Sequence, residues 1–405
     1  MNVLFVHETE WLKKVVFDIH TLAESLSLRG HRVYAIDFES TWKRIGLNDL
    51  WNKSQEMGGV SRAFKGAAVT LIRPGFIKVS GLSRLSAAFT HWRAIKKTII
   101  EKKIDAVVLY GVATNGIPAI WAAHGLKIPV IFRSIDILNQ LVAYPVLRPF
   151  TKWLEKLVYP RVDMTLTLTP SLSKYVAGLG AKTDGIKLLP MPVDTAIFYP
   201  SPAPAGLRRR WGIKEMDSVI LYIGTLFDFC GLDGIVRRLP EIIAQEPAAK
   251  LLVVGDGPQR KKLEGIIAEM GLEGKAIITG FQPYETMPQY INMATVCLNP
   301  FLMTGATREI FPGKIVQYLA CAKAVVATPL PGLVAVTPGE EQGIAFAETP
   351  GEMASKLVAL LKDRSYRRRL EQNGLAYVRK VHGVESIAAQ LESSLKEAIS
   401  RKKAG

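Results

Sequence analysis

The stretch NPFLMTGATREIFPGKIVQYLACAKAVVATPLPG, residues 299–332, decides how the chain is read. Ile315, Val316, Leu319 and Ala320 recur at helical spacing, Pro312 and Gly313 stand where a helix begins, and the run AVVAT follows as a short strand. Glu309 comes just before the expected helix N-terminus, where free N–H groups and the positive end of the dipole favour anions. A carboxylate there can accept hydrogen bonds from the hydroxyls of a ligand whose phosphates rest on the helix end. Gln317, eight residues on, is expected about two turns along the same helix and near the same face. An ordinary helix packed by its apolar stripe is the reading that needs no ligand.

Outward from this stretch the same alternation repeats. VILYIGTLFDFCGLDGIV (219–236) reads as a strand, a glycine turn and a helix. KLLVVGDGPQRKKLEGII (250–267) is a strand entering Gly255 and Gly257, then a helix. As a dinucleotide fingerprint it is broken, because Arg260 occupies the third glycine position. IITGFQPYETMPQYINMATVCLNPF (277–301) adds a strand, the Gly280-Phe281 turn, a short helix and another strand. In the first half, strands are expected at Val3–Val6, 32–37, Val69–Ile72, Ala106–Leu109 and Val130–Phe132. A helix from Asp18 to Arg29 carries Ile19, Leu22, Ala23 and Leu26 inward. Strand, helix, strand at this spacing is a right-handed parallel crossover. Four prolines between Pro192 and Pro204 stiffen the chain and mark a boundary.

Residues 299–332 resemble the acidic motif of retaining GT-B glycosyltransferases of family 4, and the phrases LSLRGHRVYAI and IKLLPMPVDTAIFYP resemble that family elsewhere. The resemblance implies an α/β chain of two doubly wound, Rossmann-like domains facing a cleft: 1–192 on the acceptor side, 193–384 binding the nucleotide sugar, and a helix over 385–405 crossing back to the first domain. It implies that Glu309 faces the donor sugar, that the backbone at Ile310 and Phe311 meets the diphosphate, and that Gln317 holds the ribose in place of the usual Glu. Gly224, Thr225, Gly255, Gly257, Gly280 and Phe281 become donor-binding positions. The family's Arg and Lys at the first glycine turn are replaced by Thr225 and Cys230, so the missing charge is assigned to Lys314 or Arg308. The family's His-Asp pair after the strand Val130–Phe132 is Ile135 and Asp136. Asp136 is then a catalytic candidate beside Glu309, or an N-cap for the following helix. The glycine pair usual after the first strand is absent, the loop being ETEWLKK. Trp11 within it either stacks on an acceptor or caps the sheet.

The composition, 48% hydrophobic and 22% charged over 405 residues, is that of a globular chain with a large core. Its net charge of +16 sits mainly in the first half and suits an anionic partner. The basic residues are scattered, with no nucleic-acid motif, so no nucleic acid is expected. Between Arg73 and Lys103, Leu82, Leu85, Phe89, Trp92, Ile95 and Ile99 form an apolar stripe among basic residues. This is either an amphipathic helix meeting an anionic membrane surface or an ordinary helix packed on a sheet. Cys230, Cys297 and Cys321 show no metal or redox spacing, which suits a reducing cytoplasm. There is no signal-peptide pattern at the N-terminus, and the uncharged run 106–123 is broken by Asn115, Gly116 and Pro118. The expected location is cytoplasmic, with peripheral attachment at the inner face of the plasma membrane.

Together these residues lead to the expectation of a metal-independent transferase that needs no cofactor, moving a sugar from a nucleotide-diphosphate donor to an acceptor glycan or lipid-linked glycan in cell-envelope synthesis. The alternatives are a degenerate GT-B protein that binds a nucleotide sugar or a partner without turnover, and a dinucleotide oxidoreductase.

Overall fold

The computed structural model describes all of the chain except residues 14, 40, 41, 43–48, 143 and 405. It divides into two units, Met1–Pro192 with Val384–Gly405, and Val193–Gly383. The last residue of the loop 8–14 lies outside the described residues.

Among the described residues unit 1 is built on ten strands: β1 (Asn2–Val6), β2 (Arg32–Ile36), β3 (Trp51–Asn52), β4 (Gln55–Val60), β5 (Val69–Arg73), β6 (Phe76–Ile77), β7 (Ala106–Leu109), β8 (Val130–Ser134), β9 (Met164–Thr167) and β10 (Ile186–Leu188). Eight of them form one sheet in the order β10-β9-β8-β7-β1-β2-β5-β4, parallel except for β4, while β3 and β6 pair as a small ribbon. Helices cover both faces, which is why the central strands read as unbroken apolar runs. One face packs the helices Asp18–Leu28 and Val384–Ala404, through Ile19, Leu22, Ile387, Leu391 and Leu395. The other packs the helices Leu82–Glu101, Gly116–His124 and Arg148–Val158, through Ile95, Ile99, Ala119, Ala123 and Val158.

One open alternative is decided here and one expectation changes. Trp11 is 1% exposed and belongs to the core, so it does not face an acceptor. In the helix Leu82–Glu101 the buried line is Ser83, Ala87, His91, Ile95, Thr98 and Ile99, while Leu82, Leu85 and Phe89 are exposed. At ~100° per residue the expected stripe is about 140° wide, and the sheet takes only its Ile95–Ile99 edge.

Unit 2 has six strands, β11 (Ser218–Ile223), β12 (Ala249–Val254), β13 (Ala276–Ile278), β14 (Val296–Asn299), β15 (Val325–Ala327) and β16 (Ile344–Phe346). All are parallel, in the order β13-β12-β11-β14-β15-β16. From β11 the chain first builds outward through β12 and β13, then returns to add β14, β15 and β16 on the other side. The order reverses between β11 and β14, the switch point at whose carboxyl end open α/β sheets take ligands. The unit's first and last residues, Val193 and Gly383, pair as a bridge.

Candidate functional site

The helix after β14 runs from Lys314 to Ala320. Pro312 disfavours the helical conformation at Phe311, so residues 310–313 stay outside it. Glu309 therefore stands in the preceding loop, and the expectation that it shares a helical face with Gln317 is not met. Eight residues of separation are here a loop and about one turn. Ile315, Val316, Leu319 and Ala320 are buried as their spacing required.

The loop that presents Glu309 is pinned on both sides. Thr304 and Thr307 exchange backbone-to-hydroxyl hydrogen bonds of 2.8 and 3.2 Å, and the Gly332 amide donates to the Arg308 carbonyl at 2.9 Å. Gly332 lies so close to the Glu309 backbone that any side chain there would strike it. The Glu309 carboxylate keeps about a fifth of its surface exposed, with Arg308 Nε 3.5 Å away; Arg308 itself is 64% exposed.

Lys314 is placed differently. Its ammonium stands 3.7 Å from the ring centre of Tyr222, on β11, and 4.5 Å from that of Phe301, just after β14. It thus sits across the switch point. A Cβ on Gly224, the residue that follows β11, would lie 2.8 Å from Lys314 Nζ. No carboxylate lies within 4 Å of this ammonium among the described residues, and two ring faces replace an ion pair. Burial pulls its pKa down to about 7. Cys230, whose charge would be felt by this ammonium, has its thiol pushed up by burial and stays neutral. Tyr222 and Phe301 were not anticipated from sequence. Their sole signal was an aromatic at the carboxyl end of each of two apolar strands.

The glycine turns serve backbone packing. Gly255, at φ +154°, follows β12, and a side chain on it would strike the Gly224 carbonyl. A Cβ at Gly257 would come within 2.7 Å of the Leu226 amide nitrogen. These two glycines let the turn after β12 lie against the turn at Gly224–Leu226, which carries Thr225. Arg260, in the third glycine position, binds Asp256 at 2.8 Å and Glu264 at 2.7 Å, and its guanidinium covers Gly280. Phe281 is 68% exposed beyond that turn. Phe311 is buried with its ring stacked on His382, so its backbone alone is left for a ligand. Gln317 is partly buried, and its amide makes no hydrogen bond to the protein among the described residues. Asn299, which ends β14, is fully buried with neither amide atom bonded.

Asp136 belongs to unit 1, two residues beyond β8 and partly buried, with its charge felt by Tyr159, whose hydroxyl lies 3.3 Å from Ser134 Oγ. The switch point of that sheet lies between β1 and β7, and Glu8 occupies it. The Glu8 carboxylate accepts from the amides of Thr114 and Asn115 at 2.6 and 2.7 Å, at the start of the helix Gly116–His124. Its side chain fills the space left by Gly111. Burial raises its pKa against those bonds and the charge of Arg84. Among the described residues no three His, Cys, Asp or Glu side chains gather as metal ligands. No helix among them is long and apolar enough to cross a membrane.

Two family models match, "Glycosyl transferase 4-like domain" over residues 17–192 and "Glycosyl transferases group 1" over residues 217–363. Among curated relatives, D-inositol 3-phosphate glycosyltransferase of Acidothermus cellulolyticus is 28% identical over 255 residues, 59% of this chain and 55% of that protein. The GDP-mannose-dependent alpha-(1-6)-phosphatidylinositol monomannoside mannosyltransferase of Mycolicibacterium smegmatis is 31% identical over 159 residues, 38% of this chain and 41% of that one. The chain spans about half the length of the curated relatives it matches. Among solved structures, sucrose-phosphate synthase from Thermosynechococcus elongatus superposes with a TM-score of 0.74 at 19% identity, covering 99% of both chains. Anabaena HepE in complex with UDP-glucose gives 0.71 at 16% identity, covering 98% of this chain and 100% of that one. At such identities the structures speak for the fold. With both units matched by its models, the chain belongs to the group 1, 4-like family of glycosyltransferases and has the GT-B fold.

Proposed function

We propose that the chain is a retaining glycosyltransferase that moves a sugar from a nucleotide diphosphate donor to an acceptor glycan or lipid-linked glycan. The observation that carries this reading is the Lys314 ammonium held across the β11–β14 switch point with two rings and, among the described residues, no carboxylate beside it. A cation so placed is a fixed positive potential for a diphosphate. It stands where the family's missing charges at Thr225 and Cys230 would be needed, whereas the Arg308 guanidinium lies near Glu309.

In this reading Glu309 orients the sugar, Asp136 is a polar group of the acceptor-side unit, the Gln317 amide bonds the ribose, and the exposed Phe281 after Gly280 meets the base. The bond from the anomeric carbon to phosphate breaks as the acceptor oxygen bonds the same face, and the acceptor's proton passes to the departing phosphate oxygen. Lys314 stabilises the charge that develops there, without a metal. Relatives named for phosphatidylinositol mannoside transfer and a neighbour bound to UDP-glucose support the choice of donor and acceptor class.

The test is thermal stabilisation by UDP, GDP, ADP and TDP and their sugar conjugates, with and without EDTA, followed by donor turnover. A ligand that binds only the native state raises the melting temperature. One nucleotide series is expected to stabilise the chain, unaffected by EDTA, with the shift of its sugar conjugate reduced in Glu309→Ala. Binding without transfer or hydrolysis would favour the degenerate reading, and no shift with any nucleotide would overturn the donor site.

A further inference from the structure

We infer that the outer face of the three-helix layer of unit 1 is a docking surface for an anionic lipid bilayer. The helices Leu82–Glu101, Gly116–His124 and Arg148–Val158 bury their inner sides against one face of one sheet, so their outer sides point the same way. Those outer sides carry Phe89, Trp121, Phe150 and Trp153, exposed by 55, 67, 56 and 52%. Large aromatics on three neighbouring helices are not the scattered apolar residues of an ordinary surface. They are ordered among themselves. Phe150 stacks on Trp153 with centroids 5.6 Å apart, and Phe89 meets Trp92 at 6.1 Å.

The charge around the rings selects the occupant. Arg93 and Lys96 lie over Phe89 and Trp92 at 5.0 and 5.8 Å, and Lys152 and Lys156 are exposed beside Trp153. The acidic residues of these helices offset little of this. Glu101 lies 3.8 Å from Lys97, and Glu155 is fully buried, accepting from Asn139 and Tyr175. Aromatic rings at the headgroup level with cations beside them is the pattern that meets anionic lipid. The rings stand on the outer sides of separate helices, as a broad planar occupant requires.

The test is sedimentation of the full chain with vesicles of phosphatidylcholine, with or without phosphatidylglycerol. The chain is expected to bind the phosphatidylglycerol vesicles at low salt and to leave them as salt screens the attraction. Phe150→Glu with Trp153→Glu, and separately Lys152→Glu with Lys156→Glu, are expected to weaken binding by about tenfold or more at an unchanged melting temperature. Met216→Glu, at an exposed apolar position of unit 2, is expected to bind as the wild type. Equal binding to phosphatidylcholine alone, face variants that bind like the wild type, or no vesicle binding by the wild type would each overturn the proposal. A wild type that ignores vesicles but self-associates through Phe150 and Trp153 would assign the face to a second copy instead. Vesicle binding involves neither Lys314 nor Glu309, so it and nucleotide binding fail independently.

Discussion

The two sheets of this chain each have a switch point, and the two are filled with opposite charge. In unit 1 it holds Glu8, whose carboxylate already occupies the amides at a helix start and has Arg84 nearby. In unit 2 it holds Lys314, whose ammonium has rings for neighbours and no counter-ion among the described residues. The first has supplied its own anion; the second is short of one. In the function proposed above a phosphate takes its place in unit 2, and unit 1 is left to groups that a carboxylate can accept from, such as hydroxyls.

The strongest way to break this contrast is Lys314→Met. Loss of a charge-assisted hydrogen bond of about 1.5–3 kcal/mol should weaken nucleotide diphosphate binding by about 10- to 150-fold in calorimetry. The free protein should melt no lower, because a desolvated cation has been removed. An unchanged affinity would hand the diphosphate to another group.

Glu8→Ala should strip the amides of Thr114 and Asn115 of their acceptor and lower stability by about 1–3 kcal/mol in urea unfolding, with nucleotide affinity unchanged. Parallel loss of nucleotide binding would mean the two switch points are not the separate sites described above.

Acidity offers a finer probe. With the Lys314 pKa pulled to about 7, the free protein loses this charge as the pH rises through neutrality, so diphosphate affinity should fall above pH 7. Native-state stability should move the other way. The folded state binds fewer protons than the unfolded one between about 7 and the ordinary lysine value, so this lysine's contribution rises with pH across that window. Both slopes should vanish in Lys314→Met.

The smallest effect is expected for Arg308→Ala. This side chain is 64% exposed and 3.5 Å from Glu309, so stability should change by less than about 0.5 kcal/mol. A loss of donor binding as large as that of Lys314→Met would move the diphosphate cation to Arg308.

Much of the architecture was legible because it is written locally. The strand Ser218–Ile223 is a short, largely apolar run closed by glycine, and the helix Pro350–Lys362 begins with Pro at its first position and Thr349 as its cap. Such signals involve neighbours in sequence. The candidate site was legible in its positions and less so in its geometry. Glu309 was expected just before the helix N-terminus with Gln317 about two turns along near the same face, but the helix begins only at Lys314, so Gln317 lies about one turn into it. Trp11 carried no mark telling core from ligand face, since an indole suits both. In the helix Leu82–Glu101 a contiguous arc of apolar residues was visible, but which edge of it meets the sheet is fixed by neighbouring helices rather than by the arc.

The sequence by itself determined the alternation of strands and helices, the stiff boundary near Pro192 and the glycine turns, because periodicity, proline and glycine act through the backbone within a few residues. It also identified the replacements at Thr225, Cys230 and Gln317. The tertiary structure alone decided that Tyr222 and Phe301 would enclose Lys314, since β11 and β14 are neighbours only through the reversal of strand order. It alone decided that Glu8 would fill the matching place in unit 1. Each switch-point charge is set by side chains brought together from opposite ends of a crossover, and local pattern does not encode that meeting.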